Sequence, residues 1–122
     1  MADPTAITKA VITRNAATAA PTFGTVVANT GALVTFDKAD QKIELRLKNN
    51  ITNATNTAVI VKGNGLQGVA DLEIPIAASS EVCIVVESGK FVNVSGTNKG
   101  KILIKDKSTT GTSIAVAAVV LP

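Results

Sequence analysis

The sequence contains no histidine, no tryptophan and no tyrosine, and it has a single cysteine and three phenylalanines. Histidine is the commonest general acid or base because its ordinary pKa lies nearest neutrality, and it is also the commonest metal ligand. Without it, the chain lacks the residues for a typical zinc site or for a nucleophile pair of the Ser-His or Cys-His type. We therefore expect no catalytic residues, no metal and no cofactor.

The single cysteine, Cys83, has no second cysteine to pair with, so an intramolecular disulfide is excluded. Cys83 lies within the apolar run EVCIVVE (81–87). Free cysteines usually behave as small buried hydrophobic residues. We therefore predict a buried and unreactive thiol.

The charge pattern does not favour a nucleic acid or a membrane as partner. The net charge is +3 and lysines are concentrated in residues 90–107, but the chain has only two arginines. Nucleic-acid interfaces usually add arginines and stacking aromatic residues, so we interpret these lysines as a solvated strand face. No run approaches the roughly eighteen apolar residues of a membrane span, and the first 22 residues lack the apolar segment of a secretory signal.

Alternation of apolar and polar residues predicts an all-β protein. The stretches QKIELRLKN (41–49), VADLEIPI (69–76) and GKILIKD (100–106) have the period of two that is typical of strands with one buried face. Pro75 cannot donate a ladder hydrogen bond, which places the second of these strands at a sheet edge or places Pro75 near the end of its strand. The stretch TSIAVAAVVL (112–121) is apolar on both faces, which predicts a central strand or one covered by a partner. Further strands are predicted at 24–29, 32–36, 57–62, 81–87 and 90–95.

The length and the spacing of the turn residues define the fold class. A chain of 122 residues is the size of one domain with one core. Turn signals roughly every 8 to 12 residues predict an antiparallel β-sandwich or barrel, Ig-like or jelly-roll-like, with about 8 to 10 short strands. We assign residues 1–22 to an extended N-terminal arm or first strand with its connector, and residues 23–122 to a single β-sandwich domain.

The stretch KGNGLQGVADLEIPI (62–76) contains three glycines in the G-x-G-x-x-G spacing of dinucleotide-binding loops. That chemistry needs a helix after the glycines, because the helix N-terminus holds the phosphates. Here the following residues have the period of a strand and include Pro75. We interpret the glycines as a strand connection that needs positive φ angles. The alternative is an enzyme that binds a nucleotide through residues 63–68.

Three further patterns are given structural interpretations. Asp71 and Glu73 lie on one strand face, where solvated charges are more common than a catalytic pair. Residues 37–40 contain two aspartates but lack the ligand spacing of an EF-hand. Residues 88–90 place a serine near a lysine but are typical of a hairpin turn.

With no catalytic constellation, a binding or scaffolding role is the simplest interpretation. N-terminal arms often become ordered by adding to the sheet of a neighbour, and an exposed Gly/Asn backbone is suited to lie flat against another protein. The candidate partner contacts are therefore in the arm and in the glycine-rich stretch: Pro4, Thr5, Ile7, Lys9, Val11, Asn64, Leu66 and Gln67.

Residues 58–122 resemble a known class of proteins. The segments GNGLQGVADLEIPIA and VVESGKFVNVSGTNKGKILIKDKSTTGTSIAVAAVVLP are similar to the C-terminal half of auxiliary head, or decoration, proteins of tailed bacteriophages. The likeness consists of the acidic strand end ESGKF, an Asn/Gly turn, KGKI and a short apolar C-terminal strand. It implies a β-rich virion protein, made in the host cytoplasm, that binds the major capsid protein. Some proteins of this class self-associate as trimers and others sit singly on the capsid, and the sequence does not choose between these arrangements.

Two other functions fit the same composition. One is a tail-tube or fibre-associated β-sandwich subunit of a virion or filament. The other is a carbohydrate-binding or cell-surface adhesion module, which the absence of tryptophan and tyrosine disfavours.

Overall fold

A computed structural model describes residues 3–108 and 111–122, and over these residues the chain is mostly β. A single-turn helix, α1 (Ser88–Phe91), and a 3-10 turn (Asp40–Lys42) accompany the strands. The strands are β1 (Thr5–Ala6), β2 (Lys9–Val11), β3 (Gly24–Thr25), β4 (Ala32–Thr35), β5 (Ile43–Asn49), β6 (Asn56–Ile60), β7 (Leu72–Ile76), β8 (Glu81–Ile84), β9 (Lys101–Asp106) and β10 (Ile114–Val120).

The strands form two five-stranded sheets that make a β-sandwich. The first sheet has the order β1-β4-β9-β6-β7, and the second has the order β2-β10-β5-β8, with β3 also paired to β10. The predicted all-β sandwich is therefore confirmed. The barrel alternative is wrong, because the strands form two separate sheets.

The expectation of purely antiparallel sheets is also wrong. Two pairings are parallel, β1 with β4 and β2 with β10, and both involve the N-terminal residues. The other ladders are antiparallel. The sheets are mixed because β1 and β2 run in the same direction as their neighbours β4 and β10 and are not joined to them by hairpins.

One core lies between the sheets, and the alternation of residues along each strand supplies it. In β5 the residues at odd positions are fully buried and the polar residues between them face outward. The core includes Val34, Ile43, Leu45, Leu47, Ile60, Ile76, Ile102, Ile104, Ile114 and Val116. All seven residues of β10 are buried and the strand lies between β5 and the pair β2/β3, which confirms its predicted central position.

Asn49 ties the two sheets together at one end. It is the last residue of β5 and is fully buried. Its Nδ2 donates hydrogen bonds of 3.0 Å to the carbonyl oxygens of Ile76 and Ala54, and its Oδ1 accepts one of 2.9 Å from the amide of Ile51. Because Ile76 belongs to β7 in the other sheet, this side chain joins the sheets through buried polar contacts.

Three local predictions differ from the structure. Residues 90–95 do not form a strand: the amide of Val92 bonds the carbonyl of Ser88 at 2.9 Å, which closes the turn of α1 and places Phe91 in the core. The predicted hairpin turn at 88–90 is thus part of this helix. In residues 24–29 only Gly24 and Thr25 pair as a strand with β10.

Cys83 is exposed, so its predicted burial is wrong. It lies on β8, which is an edge strand, and the residues on either side of it, Val82 and Ile84, face the core. Cys83 therefore points to the solvent face beside Arg46, its partner in the ladder.

The N-terminal residues pair with both sheets in turn. We call residues 3–12 the paired arm and residues 13–22 the connector. The paired arm lies along β4 through β1 and along β10 through β2, with Ile7 packed against the core between them. Every residue of the connector from 13 to 20 is exposed.

Candidate partner-binding surface

Two loops at one end of the first sheet are joined by hydrogen bonds. The first, residues 61–71, connects β6 to β7 and is called the glycine loop. The second, residues 92–100, leads into β9. Asn64 links them, because its Nδ2 donates to the carbonyl of Ser95 at 3.0 Å while its Oδ1 accepts from the amide of Val94 at 2.7 Å. The two loops therefore form one surface.

Further hydrogen bonds from backbone amides fix the path of the glycine loop. The amide of Lys62 donates to Asp71 Oδ1 at 2.8 Å, which joins the two ends of the loop. The amide of Gly68 donates to the carbonyl of Gly65 at 3.1 Å, and that of Gly63 donates to the carbonyl of Lys90 at 2.9 Å. These bonds hold the loop in one conformation.

The three glycines of this loop do not have positive φ angles, so the reason predicted for them is wrong. Two of them are needed for close approach instead. A β-carbon on Gly63 would lie 2.6 Å from the carbonyl oxygen of Val92, and one on Gly68 would lie 1.9 Å from that of Gly63. Backbone packs directly against backbone at both positions, which leaves no room for a side chain.

The loops present apolar side chains to solvent. Leu66 is fully exposed, at 105% relative accessibility, and Val69 and Val94 are 80% and 58% exposed. We call these three residues the apolar tip. Leu66 and Val69 lie on the glycine loop, while Val94 contacts the loop near Gly65. Apolar side chains grouped on joined loops mark contact sites more often than scattered ones do.

An open depression lies beside the apolar tip. It has a volume of about 280 Å³ and is lined in part by Gln67, Val69, Leu72 and Lys90. Gln67 packs over Gly89, because a β-carbon added to Gly89 would lie only 2.2 Å from Gln67 Oε1. The surface therefore offers a shallow, partly apolar recess next to a projecting leucine.

The structure brings the sequence-predicted contact residues into two places. Asn64, Leu66 and Gln67 lie together on the glycine loop, where Asn64 has a structural role and Leu66 is free to bind. Pro4, Thr5, Ile7 and Lys9 lie in the paired arm and are half-buried against their own domain, while Val11 is 54% exposed.

Sequence reasoning missed Val69 and Val94. Val94 lies in a stretch with the composition of a strand, and Val69 is the first residue of a stretch with strand periodicity. No local signal separates an apolar residue of a strand from one exposed on a loop. Only the paths of the two loops bring Val94 to the loop that carries Leu66 and leave Val69 exposed on it.

The carboxylates in the described residues are mostly held by structural partners. Asp40 accepts from the amide of Ser88 at 2.9 Å and Glu73 contacts Lys107 at 3.0 Å. Asp106, which is largely buried, accepts from Asn56 and from the amide of Ser108. Over residues 3–108 and 111–122 no three of the Cys, Asp and Glu side chains gather in the way that metal ligands do.

The chemical reactivity of Cys83 is low at neutral pH. Loss of solvation raises the pKa of its thiol, and the nearby charge of Glu44 raises it further. A thiol with a raised pKa is mostly protonated at neutral pH and is a poor nucleophile. Cys83 is therefore accessible without being activated.

Comparisons with protein-family models, curated proteins and solved structures find no significant match to this chain. In the part of the chain that the structure describes, no helix is both long and apolar enough to cross a membrane.

Proposed function

We propose that this protein is a non-enzymatic structural subunit of a bacteriophage virion that binds the outer surface of the capsid. Its partner is the major capsid protein, it self-associates with a trimer as one arrangement, and it is assembled in the host cytoplasm. The observation that carries the proposal is the full exposure of Leu66 on a loop whose backbone is fixed by hydrogen bonds and glycine packing.

A fixed apolar projection is suited to binding a preformed protein surface. Because the loop is already ordered, little conformational entropy is lost when Leu66 enters a pocket of the partner. Burial of one leucine side chain contributes about 1.5 to 3 kcal/mol. Val69 and Val94 add apolar area around it, and Lys90 with Asn64 supplies a polar rim of the kind that surrounds binding hot spots.

The resemblance of residues 58–122 to phage head decoration proteins supports the capsid as the partner. These residues include the whole glycine loop and the loop that carries Val94. A finer fold class, Ig-like or jelly-roll-like, is part of the same proposal. It is supported by the chain path, since most connections between consecutive strands pass from one sheet to the other, as they do in Greek-key sandwiches.

The test is co-sedimentation with purified capsids from which the accessory proteins have been stripped. We expect saturable binding by the native chain and a loss of roughly 10- to 100-fold in affinity for Leu66→Ser. Val85→Ser is the matched control, because Val85 is also exposed, at 51%, but follows β8 in the other sheet. The thermal unfolding of both variants is measured to show that the fold is kept.

Each outcome has a clear meaning. Equal binding by the two variants contradicts the role of the apolar tip, and absence of saturable binding to stripped capsids contradicts the capsid as partner. Saturable binding to purified tail tubes in place of capsids favours the alternative of a tail or filament subunit. Binding to glycans, measured on an array of host surface sugars, favours an adhesion module.

A further inference from the structure

The paired arm is held to the domain by backbone hydrogen bonds, whereas over the described residues the connector is not. The amide of Thr5 donates to the carbonyl of Gly31 at 3.1 Å, that of Ile7 to Leu33 at 3.0 Å and that of Ile12 to Val120 at 2.8 Å. Residues 13–20 of the connector are exposed, and the side-chain hydrogen bond of the connector is a long one of 3.4 Å from Thr18 Oγ1 to the carbonyl of Val11. The paired arm, whose backbone is hydrogen-bonded to the domain, is thus followed by an exposed connector with few hydrogen bonds.

The connector is much longer than its path requires. Val11 pairs beside Val120 and Gly24 pairs beside Val116, so both ends of the path lie along one edge of β10. Four strand residues span about 13 Å. Residues 13–22, if extended, reach roughly 35 Å. The excess length is enough to carry the paired arm onto an adjacent molecule.

The acceptor surface is the edge of β4 together with the end of β10, and every copy of the chain carries the same two edges. We propose that the paired arm is exchanged between copies, so that it pairs with β4 and β10 of a second copy in the same register that it uses within its own chain. The register itself shows that the arm fits this surface, and no new contact is needed. Exchange of an identical element in this way is domain swapping, which is a low-cost route to oligomers.

Concentration decides which pairing is formed. A flexible tether gives the intramolecular pairing an effective concentration in the millimolar range, so the closed monomer is favoured in dilute solution. Copies held side by side experience a local concentration of that order, and the exchanged form then competes. The inference goes beyond the proposed capsid binding and is tested on the protein alone, so its failure and the failure of that proposal are distinguishable.

The contact between Lys9 and Asp37 provides a direct readout. Lys9 Nζ donates to Asp37 Oδ1 and, at 2.9 Å, to the carbonyl of Thr35, so it bridges the paired arm and the C-terminal end of β4. A carbodiimide couples an amine to a carboxylate only at contact. If the protein is made in two isotopic forms, mass spectrometry of the Lys9–Asp37 cross-link tells whether both residues come from one molecule.

In the experiment, equal amounts of ¹⁴N- and ¹⁵N-labelled chains are unfolded together, refolded at low or at near-millimolar concentration, and cross-linked. We expect isotopically pure links after dilute refolding and about half mixed links in the exchanged fraction after concentrated refolding. Mixed links that are absent at every concentration overturn the inference.

A change in connector length gives a second, independent measurement. Deletion of residues 13–20 leaves Pro21, Thr22 and Phe23 for the return along β10, which is too short for a chain that must also reverse direction. We expect this variant to form dimers or closed rings with mixed cross-links, as measured by light scattering. The matched control replaces residues 13–20 with an equal number of Gly and Ser residues and remains monomeric when dilute. A monomeric deletion variant whose arm is readily digested by protease contradicts arm exchange.

Discussion

A β-carbon built on Gly68 would lie 1.9 Å from the carbonyl oxygen of Gly63. These residues are the first and last glycines of the G-x-G-x-x-G spacing, and their direct backbone contact closes the loop that carries Leu66. The spacing that elsewhere accommodates a pyrophosphate here lets two segments of one loop touch. Together with the hydrogen bonds of the loop, this contact fixes the backbone that carries Leu66.

Gly68→Ala is expected to force the glycine loop open. The atom met by the new methyl group is a backbone oxygen, which cannot rotate away, so we expect a loss of about 1 to 3 kcal/mol in the free energy of unfolding. Under the proposed function, binding to stripped capsids should weaken as well. The control is Gly65→Ala, whose β-carbon would approach the side chain of Val94 at 3.3 Å and can be accommodated by rotation. If the urea unfolding curves of Gly68→Ala and Gly65→Ala coincide, the contact of the new methyl group with the carbonyl of Gly63 does not lower the free energy of unfolding, and the prediction is wrong.

Asn49→Ala is expected to be among the most destabilising polar substitutions in this chain. It leaves the buried carbonyl of Ile76 without its inter-sheet donor and the amide of Ile51 without its acceptor. We expect a loss of about 2 to 4 kcal/mol in the free energy of unfolding. The exposed neighbour Asn50→Ala should change it by less than about 0.5 kcal/mol. Chemical denaturation measures both, and a difference within error would mean that water replaces the bonds of Asn49.

The paired arm is expected to loosen at acid pH. The hydrogen bond from Lys9 lowers the pKa of the Asp37 carboxyl below its ordinary value. A group with a lowered pKa in the folded state stabilises that state fully above its ordinary pKa, and the contribution is lost as the pH falls through the lowered value. Because Asp37 is more than half exposed, the ion pair contributes little to global stability, and we expect the effect in the local opening of the arm.

Hydrogen exchange of the arm amides, measured from about pH 6 downward and corrected for intrinsic rates, should show this loss of protection. Amides of β5 in the same protein serve as the internal control. Asp37→Asn should lower arm protection at neutral pH and remove this part of its pH dependence. Identical pH profiles for the native chain and the Asp37→Asn variant would exclude the ion pair as the cause.

Cys83 is expected to react in the folded protein, slowly at neutral pH and faster as the pH rises. The side chain is exposed, but loss of solvation and the charge of Glu44 raise the pKa of the thiol. Only the thiolate reacts with alkylating reagents. Without denaturant, the rate at which iodoacetamide modifies Cys83 should therefore be lower at each pH than the rate for a short cysteine-containing peptide. Glu44→Gln should increase the rate for Cys83 toward that of the peptide. Modification that requires denaturant would mean a buried thiol.

The candidate site was only partly predictable from the sequence. Leu66 could be selected because an apolar residue lies among glycines and polar residues where a loop is required. Val94 could not, since it reaches the glycine loop only when two loops distant in the chain are hydrogen-bonded through Asn64. Val69 could not, since it begins a stretch with the period of a strand. The reason for the glycines was likewise hidden, because close approach is a property of the folded backbone.

The sequence by itself determined the β class, the buried faces of β5 and β9, the central position of β10 and the absence of histidine chemistry. These follow from composition and from a period of two, which are local properties. Only the tertiary structure decided that Cys83 lies at an edge, that residues 88–91 form a helical turn, and that the N-terminal residues run parallel to β4 and β10. Those features depend on which strands become neighbours, and strand pairing is set by contacts between residues far apart in the chain.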